Sequence, residues 1–345
     1  HGPRAGASLP RGLVMTQVTI IGAGVAGLCT ARVLLDRGMR VHVIDRVHQP
    51  GPQGCSWWAG GMLAPFCEGE SAEEPVIRLG KRAADWWGQH TTSLHRRGSL
   101  VISPARDSSD LTRFARRTTS HQTLTGAGIA ALEPDLGDRF AKALYFQTEA
   151  HLSPRIALAE LWRGLVADGA SFEQGEAAPE TLAQDGIVVD CRGYHARADL
   201  PDLRGVKGEM ALLSCPDIAI TRPIRVLHPR VPIYLVPRGD GIYMLGATMV
   251  EGRAGAHASV RSVLELLSAA YALSPAFGEA EILEIGVDSR PTFPDNLPRI
   301  ERQGNLIRAN GLYRHGFLLA PALATMVADL ILDAKTPEIF HETTA

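Results

Sequence analysis

The sequence predicts an α/β (α+β, two-domain) chain in which a Rossmann-like dinucleotide-binding domain is interrupted by a second domain built on an antiparallel β-sheet. Three observations carry that reading. An apolar strand, a glycine-rich turn, a helix and a second strand ending in an acid follow one another at residues 18–45, VTIIGAGVAGLCTARVLLDRGMRVHVID. A second buried strand, GIVVD at 186–190, runs into Cys191, Arg192 and the turn glycine Gly193, as an interrupted Rossmann domain does when it returns to its sheet. Between 206 and 248, short alternating segments separated by turn residues read as antiparallel strands of a different layer.

The glycine-rich turn comprises Gly22, Ala23, Gly24, Val25, Ala26 and Gly27. Gly22 permits the tight strand-to-helix turn, Gly24 lets backbone approach a pyrophosphate, and Gly27 lets the helix pack closely on the strand. The helix N-terminus then offers free N–H groups to phosphate. Asp45, followed by Arg46, ends the second strand where a carboxylate can accept hydrogen bonds from a ribose diol. An acid there disfavours the 2′-phosphate of NADP. FAD and NAD both remain open on these residues alone.

Along the chain, residues 1–14 (HGPRAGASLPRGLV) lack apolar periodicity and precede Met15, so they read as an expression-tag remnant. Residues 48–70 form a loop dense in Gly and Pro, too long for a plain connector. A helix is expected over 73–96, with Trp86 and Trp87 as core anchors, then a strand at 99–103, a polar helix at 108–118 and a strand at 142–146. Ser153 and Pro154 are a cap and first position for a helix reaching about 168. Strands follow at 208–214, 224–228, 233–236 and 242–248. The chain closes with a strand at 305–309, a loop at 311–316 and an apolar helix at 317–334. The expected division is 15–80, 147–205 and 290–345 for the dinucleotide domain, with 81–146 and 206–289 for the substrate domain.

Composition narrows the partners. With 35 Lys and Arg against 37 Asp and Glu, the net charge of −2 leaves no basic stripe for nucleic acid. The five cysteines, Cys29, Cys55, Cys67, Cys191 and Cys215, form no CxxC pair, which argues against a disulfide framework or a zinc site and for a reducing compartment. No apolar run approaches the roughly 20 residues of a membrane span. With no apolar signal core near the N-terminus, a cytoplasmic location is expected.

Three separated segments resemble one family. They are the fingerprint with Asp45, the stretch CSWWAGGMLAP at 55–65, and GLYRHGFLLAP at 311–321; YLVPR at 234–238, LGATM at 245–249 and SRPT at 289–292 add to them. Together these are similar to the flavin-dependent amine oxidases of the D-amino-acid oxidase type, and within them to the glycine oxidases of thiamine biosynthesis. The resemblance covers Met15 to about Lys335.

The resemblance implies FAD, and the residues have a physical reading consistent with it. The small residues Ala59, Gly60 and Gly61 let backbone lie against a flat ring; by resemblance this loop and Met62 border the reactive N5 edge, with Cys55 and Ser56 nearer the pyrophosphate. The helix starting near Phe317 aims its positive end at the cleft, where it favours negative charge on a reduced flavin, a service NAD does not need. The family's cofactor contacts also fall on Ala178, Cys191, Gly193, Leu312, Tyr313, His315, Gly316 and Leu318. His315 has no carboxylate near it in sequence and is read as a loop residue. No cysteine follows Cys215, so the FAD is expected to be non-covalent. Trp57 and Trp58 depart from the small residues often seen at their positions.

The substrate residues follow in the same way. The family's carboxylate-binding arginine maps onto Arg290, in a stretch expected to follow a strand, and Arg314 matches a second arginine over the substrate. Guanidinium grips a carboxylate in two bonds better than ammonium does. Tyr234 would present its hydroxyl to the same carboxylate. No Ser-His-Asp or metal constellation is evident. The expected reaction is oxidative deamination of glycine or another small amino acid, with hydride passing to flavin N5 and dioxygen as final acceptor. Glyoxylate, ammonia and peroxide are the products, and the imine feeds thiazole synthesis. The resemblance also implies a homo-oligomer and a link to thiazole synthase. A D-amino-acid, sarcosine or proline dehydrogenase that hands electrons to a quinone or partner, and a flavin-binding subunit without a substrate site, stay open as alternatives.

Overall fold

A computed structural model describes residues 16–104, 108–228, 231–251 and 255–342; the tail 1–14 lies outside them. Six strands form the first sheet, in the order Arg299–Gln303, Leu306–Asn310, Ile187–Asp190, Gln17–Ile21, Arg40–Asp45 and Ser171–Gln174. All neighbours are parallel except the first two, which form an antiparallel hairpin. Parallel strands buried on both faces read as continuous apolar runs, as VTII and IVV do here. The fingerprint helix Val25–Asp36 and the C-terminal helix Gly316–Leu332 pack on this sheet in one apolar core that includes Ile20, Leu28, Val43, Val189 and Leu319.

The second sheet has nine strands. Its main path is Val250–Glu251, Arg204–Ser214, Ile242–Gly246, Ile233–Gly239, Ile224–Val226, Ser99–Ile102, Lys142–Phe146 and Gln122–Thr125, and Glu281–Thr292 joins through Arg204–Ser214. All pairs are antiparallel but one, Ile224–Val226 beside Ser99–Ile102, so the sheet is mixed. It has its own core, built on Leu100, Leu213, Leu235, Leu245 and Leu266, with the helix Val260–Leu273 against it.

Several expectations are corrected. The single helix expected over 73–96 is two short ones, Glu74–Gly80 and Ala83–Trp87. Arg290 lies inside the long strand Glu281–Thr292 rather than after it. That strand, the edge strand Ser171–Gln174 and the helix Val260–Leu273 lie outside the elements expected above: Ser171–Gln174 carries one apolar residue, Phe172, between Gly169 and Gly175, and the helix has its own signals in the Ser259 cap and in Leu266, Ala270 and Leu273 at helical spacing. None of the described helices is long and apolar enough to cross a membrane.

Candidate active site

One cleft of about 920 Å³ runs between the two sheets. It begins at the fingerprint turn, passes Asp45 and Arg46, follows the loop from Cys55 to Met62, and ends beside the first turn of the C-terminal helix.

At the fingerprint end the geometry is that of a close approach. Gly22 holds φ at +104°, and a Cβ there would stand 2.6 Å from the Cys191 carbonyl oxygen; a Cβ on Gly27 would stand 1.8 Å from that of Gly22. Only glycine fits at either position. Gly24 faces the Ser56 hydroxyl instead, and Ser56 Oγ accepts from the Val25 N–H at 3.1 Å, joining the turn to the next loop. Asp45 accepts from the Ala23 N–H at 2.6 Å and from the Val47 N–H at 3.1 Å. An ionised carboxylate has lone pairs to spare beyond these two bonds, so a ribose diol can still be received there.

The remaining cofactor candidates gather on the same cleft. Arg46, Cys55, Ala59, Gly60, Gly61, Met62, Cys191, Gly193, Leu312, Tyr313, His315, Gly316, Phe317 and Leu318 all line it. Ala177 lines it too, whereas Ala178 stands one residue on, at the N-cap of the short helix Pro179–Leu182. Cys191 N–H donates to the Ile21 carbonyl and the Asn310 side chain to the Gly193 carbonyl, so that the three strand ends meet under the turn. The Tyr313 N–H donates to the Pro291 carbonyl at 2.9 Å, which ties the last loop to the strand that carries Arg290.

Trp57 and Trp58 are placed by the fold. They end the turn Cys55–Trp58, their rings lie 4.8 Å and 5.1 Å from the Arg155 guanidinium, and the Trp58 indole donates to the Pro52 carbonyl. Arg155 is itself held by both oxygens of Glu284 at 2.8 Å.

The three substrate candidates all reach the cleft, in different company. The Arg290 guanidinium lies across Gly208, donates to the Thr248 carbonyl at 3.2 Å, and forms no ion pair among the described residues. Tyr234 lays its ring on Gly60, where a Cβ would come within 2.8 Å of it. Arg314 has a partner, since its Nη2 is 3.7 Å from Glu68 Oε2.

Glu68 is the residue that sequence reasoning missed. It is buried, ends the short helix Pro65–Glu68 just beyond the glycine loop, binds Arg225, and stands 3.6 Å from His315 Nδ1. Burial alone would raise its pKa, but Arg225, then Arg314 and His315, hold it well below the usual carboxylate range. His315 is therefore no bare loop residue: it is the N-cap of the C-terminal helix and has a carboxylate close in space that is distant in sequence. Burial lowers its pKa to about 4, which leaves the imidazole neutral at pH 7. An acid in an apolar stretch (LAPFCE) was the only available signal for Glu68.

Comparison with known proteins agrees with this geometry. The family model described as FAD-dependent oxidoreductase (DAO) matches residues 17–330. A Rhizobium etli protein described as a candidate thiamine biosynthesis oxidoreductase, ThiO, is 50% identical over 92% of this chain and 96% of its own length. A bifunctional ThiO/ThiG protein of Trichormus variabilis is 27% identical, over 94% of this chain and 54% of that one. The glycine oxidase structure from Geobacillus kaustophilus superposes with a TM-score of 0.76 at 24% identity, covering 94% of this chain and 96% of that one, which shows a shared fold. The glycine cradle, the acid at the second strand end and a cleft of this volume fit the same cofactor, and the chain belongs to the FAD-dependent oxidoreductases of the D-amino-acid oxidase type, in their ThiO group.

Proposed function

We propose that the chain deaminates glycine or another small amino acid oxidatively and supplies the product to thiazole synthesis. The observation that carries this reading is Arg290, a cleft arginine with no carboxylate in ion-pair contact among the described residues, the charge of Asp288 reaching it only at longer range. A guanidinium left in that state suits a substrate carboxylate, which it can take in two charge-assisted bonds. Arg314 is the weaker anchor, because Glu68 already meets part of its charge.

Bound FAD supplies a two-electron acceptor that takes hydride from the carbon next to nitrogen and returns the electrons to dioxygen. The protein residues bind and orient. Arg290 holds the carboxylate, Tyr234 closes the side of the glycine loop, and Tyr313, whose hydroxyl is 3.7 Å from Met249 Sδ, shapes the rim. No proton relay is required of His315, which is neutral, provided that the amine arrives neutral. Hydrolysis of the imine then yields glyoxylate and ammonia from glycine, with peroxide from dioxygen. The relatives named ThiO and the ThiO/ThiG fusion support delivery of the imine to a thiazole synthase.

Non-covalent FAD is supported by the half-buried Cys55 in the cleft: desolvation, and then Asp288, pushes its thiol up to about 12, so it offers little thiolate. Four of the five cysteines are buried and all are free, which suits a reducing, cytoplasmic setting. The separate apolar cores of the two sheets support the two-domain division. Exposed Ile282, Leu283 and Ile285 on one edge strand support a homo-oligomer.

The test is anaerobic titration of the FAD-loaded protein with glycine, sarcosine and D-alanine, followed by admission of oxygen. Bleaching of the flavin by at least one amine and recovery of colour with oxygen are expected. No bleaching by any of them ends the amino-acid reading, and bleaching without recovery turns it into a dehydrogenase. In the Arg290→Ala variant KM should rise at least tenfold with FAD still bound.

A further inference from the structure

Behind the glycine loop, on the side away from the cleft, lies a second arginine with no acid to pair with. Arg238, near the end of the strand Ile233–Gly239, donates from Nη2 to the Gly60 carbonyl at 2.8 Å and to that of Ala59 at 3.2 Å. Its Nη1 reaches the Leu152 carbonyl at 3.4 Å. Among the described residues it forms no ion pair, and it does not line the cleft.

These bonds on one face of the loop fix what its other face presents. In a trans peptide the carbonyl and the N–H of the same plane point in opposite directions. The Ala59 carbonyl shares its plane with the Gly60 N–H, and the Gly60 carbonyl with the Gly61 N–H. With both carbonyls drawn back onto one guanidinium, both N–H groups face the cleft that Gly60 and Gly61 line. Neither N–H has a partner among the described residues although both glycines are buried, and buried backbone donors seldom stay unpaired. Desolvation lowers the Arg238 pKa from the ordinary arginine value, but the group stays charged at neutral pH, so its field reaches the same loop.

We propose that Arg238 is a positioning residue for the cofactor: its fork aims the consecutive Gly60 and Gly61 N–H groups at the bound flavin ring, and its unpaired charge favours negative charge there. This inference rests on the FAD site and is independent of which amine is oxidised.

Arg238→Lys keeps the charge and loses the fork, whereas Arg238→Met loses both. Each is loaded with FAD and titrated with sulfite, which binds at flavin N5 and leaves the ring negative, so that its affinity reads the donors and charge around the ring. FAD dissociation is measured by fluorescence on the same samples. The sulfite Kd should rise at least fivefold in Arg238→Lys and more in Arg238→Met, with FAD held at least tenfold more weakly in both. A merely structural arginine would lower the melting temperature and leave the sulfite Kd of the loaded protein unchanged. Sulfite Kd values within twofold of the parent's overturn the proposal. If Arg238→Met does not fold, Arg238→Lys decides by the same criterion.

Discussion

The indole N–H of Trp87 donates to the Phe317 carbonyl at 2.8 Å. In an α-helix that carbonyl would accept from the N–H four residues on, but position 321 is proline and has none. Trp87 therefore satisfies the one acceptor that Pro321 strands in the first turn of the C-terminal helix, and the two rings pack with centroids 5.3 Å apart. The helix start that borders the cleft is thus pinned from a different part of the chain.

Trp87→Phe keeps most of the packing and removes the donor. A buried carbonyl left without a partner costs about 1–3 kcal/mol. Urea unfolding of the FAD-free protein should show a loss of that size, and Trp86→Phe, at the partly exposed neighbour, should lose less.

Gly208 makes room for Arg290, since a Cβ there would stand 2.2 Å from Nη2 and 2.5 Å from the guanidinium carbon. Gly208→Ala must push the guanidinium aside. Loss of a charge-assisted contact of about 1.5–3 kcal/mol corresponds to a rise in KM for the amino acid of roughly ten- to a hundredfold. FAD affinity, measured on the same preparation, should stay within twofold.

Gly27→Ala should act at the other end of the cleft. Its methyl group would sit 1.8 Å from the Gly22 carbonyl oxygen, which neither helix nor strand can vacate without moving the turn. Overpacking of this kind costs about 1–3 kcal/mol or more. The variant should purify largely without FAD, as the ratio of flavin to protein absorbance will show, while Gly24→Ala, which meets only a hydroxyl at 3.4 Å, should retain more.

Glu149 gives a pH dependence with a definite sign. It is buried, accepts the Cys67 N–H at 2.7 Å and the Ser99 hydroxyl, and burial pushes its carboxyl up to about 7. An unfolded glutamate titrates near roughly 4.3. Between those values the folded state binds the extra proton, so the contribution to stability is complete below about pH 4.3 and is lost as pH rises to about 7, on the order of 3 kcal/mol in all. Glu149→Gln should remove this loss. Compared by urea unfolding at pH 5 and pH 8, the variant should gain on the parent at the higher pH. His315, held down to about 4, works in the opposite direction as pH falls below its unfolded value, and it is common to both proteins.

The parts of the site that could be read in advance are those whose chemistry is local. A strand, three glycines at fixed spacing, a helix and an acid lie within residues 18–45, and each acts on neighbours a few positions away. Arg290, Tyr234 and Arg314 were legible only through the resemblance, because nothing in the residues beside them says which way an arginine or tyrosine points. Glu68 went unread because its partners are far off in sequence: Arg225 lies 157 positions away. The long strand Glu281–Thr292 was hidden because its residues serve two different surroundings, exposed apolar Ile282 and Leu283 at one end and polar Asp288 and Arg290 in the cleft at the other.

By itself, then, the sequence determined the dinucleotide turn, the two-layer plan and the small-residue loop against which a flat ring can lie, since these depend on backbone geometry that glycine and apolar spacing dictate. Only the tertiary structure decided which charges are free to work. Arg290 and Arg238 remain unpaired among the described residues, while Arg314, Arg225 and His315 converge on Glu68. An arginine's function follows from whether a carboxylate stands within about 4 Å of it, and that distance is set by how the sheets and loops pack.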